Sequence, residues 1–210
     1  MSKERKIKPV NDNEEKRQNF ARAKAKLKVA IKYGFYLEAL SIEYSIIEDR
    51  LMAIFNHLQF LTPSLKFNNK CKPFALALYS RKNKKLFSNN KTPTLFNISN
   101  KILLLSALFD WSKEYNGDNL YLSTVAKVVE RLNYEKLGFF FAKIDAWRDV
   151  RNEITHAMMN KNPIDYNEKV ADAVAVGEEL MKIIDNEERK IRDKKELLLK
   201  AFQKTRDVVI

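Results

Sequence analysis

Asp145, Asp149, Asn152 and His156 follow one another at intervals of four, three and four residues, which on an α-helix sets all four on one face. Arg148 and Arg151 flank that stripe. His156 and Arg151 are the members able to carry a reaction. Histidine takes and gives protons near neutrality, whereas arginine keeps its charge and grips a phosphate with two parallel hydrogen bonds. Such a pair suits RNA cleavage without a metal: a base removes the ribose 2′-hydroxyl proton, and a fixed cation stabilises the charge growing on the phosphate. Asn152, one turn before His156, is placed to orient the imidazole or the phosphate. No cofactor enters this chemistry. On a straight helix Arg151 and His156 point about 140° apart, so one chain alone does not set them side by side.

The acidic members of the stripe read first as solvated surface. The elements that must hold it are helical. Leu137, Phe140, Phe141, Ile144, Trp147, Ile154 and Met158 recur at helical spacing and predict a helix over 134–159 with one buried face, Trp147 included. Leu37, Leu40, Tyr44, Ile47, Leu51, Ile54 and Leu58 predict another over 33–60, stopped by Thr62-Pro63. Shorter helices are expected over 72–81, 97–115 and 120–132. After Asn162-Pro163 a last helix is expected from about 164 to 206, apolar in its first half and mostly charged beyond Asp185. That second half reads as an arm, or as a surface for another chain. From 13 to 32, Ala alternates with Lys and Arg over a thin apolar face of Phe20, Leu27, Val29 and Ile31. The segment 82–93 has no period and reads as a basic, Asn-rich loop.

Only 4 Gly and 5 Pro punctuate 210 residues, too few for the turns of a sandwich or barrel. The fold class is all-α: a bundle of five to seven helices with a long C-terminal helix. The expected organisation is a basic, helical N-terminal extension over 1–32, a helical domain over 33–185 and a charged helical extension over 186–210. One cysteine, Cys71, excludes an intrachain disulfide and a multi-Cys zinc site; despite Lys70 and Lys72 beside it, no base accompanies it and it reads as structural. No P-loop, zinc signature or nucleophile elbow is present. The charged N-terminus has no apolar stretch behind it, and no run approaches the roughly 18 apolar residues of a membrane span. The expectation is a cytoplasmic protein without membrane contact.

The net charge of +12 is unevenly spread. Residues 51–109 contain no acid and nine basic residues: Lys66, Lys70, Lys72, Arg81, Lys82, Lys84, Lys85, Lys91 and Lys101. Interleaved with Asn and with Phe67, Tyr79, Phe87 and Phe96, this block suits phosphates and exposed bases. The first eight are therefore candidate RNA contacts. A basic surface serving only solubility is the competing reading. The other histidine, His57, lies in an apolar helix and reads as a satisfied boundary residue.

The run Arg151-Asn152-x-x-x-His156 resembles the signature of the HEPN superfamily, in which an Arg is followed by a polar residue, often Asn, Asp or His, and then by a His after a short spacer. The early helix running from Glu38-Ala39-Leu40 to Glu48-Asp49-Arg50-Leu51 also resembles that superfamily's first core helix, and the likeness covers roughly 33–185. The resemblance implies an endoribonuclease that dimerises about a two-fold axis, so that Arg151, Asn152 and His156 of two copies form one composite site. It further implies cleavage that leaves a cyclic phosphate, and a role as toxin, abortive-infection or CRISPR-associated effector, open to control by a regulatory protein. Glu48, Asp49, Arg148 and Asp149 are candidates to support the site, because an acid of the first helix sometimes steadies the Arg in this superfamily. Many toxin members carry a Tyr two residues after the His; Met158 stands there in this chain. The alternative is a non-catalytic module of the same kind that binds RNA or protein. A helical interaction subunit whose last helix forms a coiled coil is a third reading, weakened by the poor heptad pattern after Asp185.

Overall fold

The computed structural model describes residues 13–62, 67–82, 97–157, 163–206 and 208, without the side chains of 13, 157 and 163–166. Among them are eight helices: α1 Asn13–Lys32, α2 Tyr36–His57, α3 Lys72–Lys82, α4 Ile98–Glu114, α5 Leu120–Val129, α6 Tyr134–Ala157, α7 Pro163–Arg192 and α8 Lys195–Lys204. The only extended pairing described is an isolated bridge between Leu61 and Phe67. The fold is an all-α bundle. No helix among the described residues is long and apolar enough to cross a membrane. The basic loop expected over 82–93 lies, beyond Lys82, outside the described residues.

Asparagine starts three of the helices. The side chain of Asn97 accepts a hydrogen bond from Ser99 N, that of Asn119 from Tyr121 N and Leu122 N, and that of Asn133 from Lys136 N. Each satisfies amides that the first turn leaves without partners. Two helices end in a left-handed residue. At α1, Gly34 has φ 74°, with Gly34 N donating to Ile31 O and Phe35 N to Ala30 O. At α2, Gln59 has φ 65° and plays the same part, with Phe60 N donating to Phe55 O. Both are Schellman turns, which reverse the chain in a fixed conformation.

α2 and α7 form the most extensive pairing, and α1 and α6 pack beside them. The core face read for α2 is buried through Leu40, Ile47, Leu51 and Ile54, and that of α6 through Leu137, Phe140, Ile144, Trp147 and Ile154. Trp147 is a core residue: its Nε1 donates to Ala173 O at 2.8 Å. α1 packs on α2 through Leu27 and Ala30.

The expected final helix differs most. It breaks at Asp193–Lys194, which adds a helix beyond the seven anticipated, and α8 turns back onto α5 with Leu198 and Ala201 buried. The Phe202 ring meets Tyr121 edge-on at 5.2 Å. The charged half of α7 does not project. Asp185, Glu187, Glu188 and Ile191 are all buried, because the acids have partners on other elements. Lys24 reaches Asp185 at 2.8 Å, Arg50 reaches Glu188 at 3.3 Å, His57 Nε2 lies 2.9 Å from Glu188 Oε1, and Asn133 N donates to Glu187 at 2.9 Å. Burial alone would raise the Glu188 pKa, but the His57 hydrogen bond and the charges of Arg50 and Arg192 outweigh it and hold the carboxyl below its usual range. His57 is thus the satisfied boundary residue expected. Cys71 is likewise buried, its thiol donating to Gln59 O at 3.4 Å, and burial pushes its pKa up to about 11.

One buried acid lacks any such partner. Glu43 of α2 is fully buried with both carboxylate oxygens unbonded, packed where α7 carries Gly177. A Cβ at position 177 would collide with Glu43 Oε2 and stand 3.1 Å from Trp147 Cζ2, so glycine leaves the space that the Glu43 carboxyl fills. Burial, reinforced by the charge of Glu178 and opposed by that of Lys182, raises the Glu43 pKa from 4.5 to about 9. The folded protein therefore holds this proton more tightly than the unfolded chain. The stability tied to it is complete below about pH 4.5 and is lost as pH rises toward 9. Glu43→Gln, which cannot ionise, removes that loss: its stability relative to the natural protein should climb steadily between pH 5 and 9 in urea titrations. Parallel pH–stability curves for the two proteins would refute the assignment.

Candidate active site at the end of α6

Trp147, Arg151 and Tyr44 build the local structure around the motif. Trp147 and Arg151 are four residues apart and so share the α6 face turned toward α2. The Tyr44 ring stacks on Trp147 with centroids 6.3 Å apart, and the Arg151 guanidinium carbon lies 4.4 Å from the Tyr44 centroid. Arg151 Nη1 also donates to Asn152 Oδ1 at 3.1 Å, while its buried Nε has no hydrogen-bond partner. The guanidinium is thus held by a cation–π contact and one side-chain acceptor, with hydrogen-bonding capacity left over. The sequence pattern marks Tyr44 only as a core residue. The signal that it does more is the coincidence of a Tyr on one apolar face with an Arg one turn past the Trp it stacks on.

His156 is exposed on the same helix, five residues beyond Arg151, with no hydrogen bond or ion pair among the described residues. The structure brings Arg151 and Asn152 together and leaves His156 bonded to neither; its separation from Arg151 follows from the helical angle, although Asn152 shares its face of α6. The position of Met158 lies outside the described residues.

The supporting candidates divide. Arg148 donates to Ser99 Oγ of α4 and pairs with Asp145 at 3.0 Å and Asp149 at 3.2 Å. Asp149 is otherwise exposed. Glu48 pairs with Lys101 of α4 at 2.7 Å. Burial raises the Tyr44 pKa; the Glu48 charge adds to that, and the charges of Arg151 and Arg148 oppose it. Asp49 instead pairs with Arg50 at 2.6 Å and is otherwise exposed.

Four of the eight candidate RNA contacts lie among the described residues, and three of these have partners within the chain. Lys70 donates to Phe202 O at 2.9 Å and lies over the Phe202 ring, Arg81 pairs with Glu114 at 3.1 Å, and Lys82 pairs with Asp110. Lys72 makes no ion pair among the described residues. Lys66, Lys84, Lys85 and Lys91 lie outside the described residues. Lys101, counted in the same acid-free block, is buried against Glu48. No group of three or more His, Cys, Asp or Glu side chains able to hold a metal occurs among the described residues. A groove of about 320 Å³ lies between the start of α6 and α7, lined by Lys136, Phe139, Lys182 and Ile183, and includes neither Arg151 nor His156.

Compared with protein-family models, with curated proteins and with solved structures, the chain matches none.

The Glu48–Lys101 pair ties α4 to α2 one turn past Tyr44. Lys101 is 2% exposed, so removing its carboxylate strands a buried ammonium. Glu48→Gln should cost about 2 kcal/mol in urea unfolding, reduced from the fully buried case because Glu48 is partly in water. Adding Lys101→Met should recover most of it; an undiminished stability of Glu48→Gln alone would show that the pair does not hold α4 in place.

Proposed function

We propose that this chain is a metal-independent endoribonuclease of HEPN type. One observation carries the reading: a guanidinium fixed over an aromatic ring and steadied by Asn152, on the same helix end as an exposed, unengaged imidazole. The resemblance of Arg151-Asn152-x-x-x-His156 to the HEPN signature supplies the reaction. His156 accepts the proton of a ribose 2′-hydroxyl as O2′ bonds to the adjacent phosphorus. The bond from phosphorus to O5′ breaks, and O5′ leaves with a proton supplied by an acid. A 2′,3′-cyclic phosphate and a 5′-hydroxyl end result, with no net consumption of protons. Arg151 binds the phosphate oxygens while their charge is spread.

Because the two groups point apart within one chain, the site works as a dimer. A second copy, related by a two-fold axis through the exposed stripe, brings its imidazole to this Arg151. In that arrangement Arg148 and Asp149 border the joint, and Glu48 acts through Tyr44. The biological class that follows is an effector of defence, abortive infection or toxicity held in check by a regulatory protein. A non-catalytic binding module is favoured by one detail, the engagement of Arg151 by Tyr44 and Asn152 within its own chain. It predicts RNA affinity without turnover from pH 5 to 9.

Arg151→Ala and His156→Ala should each lower RNA cleavage in chelator by about a hundredfold or more while leaving circular dichroism unchanged. Mixing the two variants should restore part of the activity, since their heterodimer keeps one Arg and one His facing each other. Cleavage that persists in the double variant sinks the proposal, and absent complementation confines the site to one chain.

A further inference from the structure

α1 carries a surface that the reaction above does not use. Between Lys16 and Leu37 there is no acid, while seven Lys and Arg occur. Lys24 is turned inward to Asp185. Arg22, Lys26, Lys28 and Lys32 are exposed, and none forms an ion pair among the described residues. Leu27 and Ala30 face α2, so the four cations occupy the opposite arc of the helix, with Arg22 and Lys26 about 6 Å apart along it.

This arc ends in two rings. Tyr33 and Phe35 are 63% and 58% exposed, with centroids 6.4 Å apart and planes tilted by 35°. Lys32 Nζ stands 5.3 Å from the Tyr33 centroid. Large apolar side chains left in water beside one another call for an occupant. These two sit on the Schellman turn at Gly34, whose backbone hydrogen bonds fix their mutual position. In many such turns the residue after the glycine packs back on the helix. Here Phe35 stays out in solvent.

We infer that the exposed arc of α1 and the Tyr33–Phe35 pair form a binding platform for single-stranded nucleic acid. The cations follow the phosphates, and the rings accept unpaired bases by stacking. A duplex keeps its bases stacked inside and can use only the cations, so the rings select single strands. A protein partner for so basic a face would have to be acidic, and nothing in the arc offers a carboxylate to set its register. Under the ribonuclease reading, on which this last point rests, the platform also aligns the substrate. Phe35 is nine residues before Tyr44, about 14 Å along α2, and His156 lies beyond Arg151 toward that same end of the bundle.

The test is fluorescence anisotropy of the whole chain with a labelled 2′-O-methyl RNA single strand, which 2′-hydroxyl attack cannot cut, and with its blunt duplex. Tyr33→Ala/Phe35→Ala should weaken single-strand binding about tenfold or more and leave duplex binding within about twofold. Arg22→Glu/Lys26→Glu should weaken both and flatten the salt dependence. Since all four side chains are exposed, melting curves should not move. Single-strand affinity equal to the natural protein in both variants overturns the inference, as does no binding by the natural protein. Self-association abolished by the ring variant would overturn it too, by assigning the face to a second copy. Binding through the platform without cleavage would instead refute only the ribonuclease proposal, and cleavage with unchanged variant affinities only the platform.

Discussion

Three carboxylates on one stretch of α7 set the terms for the rest of the bundle. Asp185, Glu187 and Glu188 are buried, and taking a carboxylate out of water costs several kcal/mol unless cations and donors surround it. The partners come from all sides: Lys24 of α1, Arg50 and His57 of α2, and the backbone amide of Asn133 before α6. None of these can slide by a helical turn without stranding a charge. The register of α2 against α7 is thereby fixed, and with it the fit of Glu43 against Gly177 and the height at which Tyr44 meets Trp147. Arg151 takes its place from that last contact. An interaction at one end of the pairing thus positions a side chain at the other.

The helical periodicities of α2, α4 and α6 made these elements legible from sequence, since each has one apolar face that can only be satisfied by burial. Core residues such as Trp147 and Ile154 follow from the same spacing, as does His57 as a boundary residue. The end of α7 was not legible, for a physical reason. A run such as Glu187-Glu188-Arg189-Lys190 has the composition of a solvated arm, and pattern alone cannot tell that Arg50 and Lys24, more than 130 residues earlier, will meet its acids. The break before α8 carries neither glycine nor proline and left no mark in the sequence.

For the candidate site the sequence located the groups without their engagements. Arg151 and Asn152 meet through their side chains, and the angle of about 140° between Arg151 and His156 keeps those two apart. Glu48 spends its charge on Lys101, whereas Asp49, one residue on, pairs with Arg50. The acid-free stretch from 51 to 109 suggested a ready phosphate surface, yet Lys70, Arg81, Lys82 and Lys101 are tied to the protein's own acceptors. Arg22, Lys26, Lys28 and Lys32 of α1, by contrast, are exposed and form no ion pair among the described residues, an orientation that the sequence does not give.

The pairing of α2 with α7 also bears on how the chain reaches this state. Lys24 and Asp185 are 161 residues apart, and Lys70 and Phe202 are 132 apart. Helical bundles usually fold fast because neighbours in sequence are neighbours in space; here the central contacts close very long loops, whose entropy must be spent before they are rewarded. α2 therefore has to wait, with its apolar face and the Arg50 guanidinium uncovered, until α7 is available. In a chain built this way the early helices, their long-range partners still missing, are the ones that a chaperone would meet first.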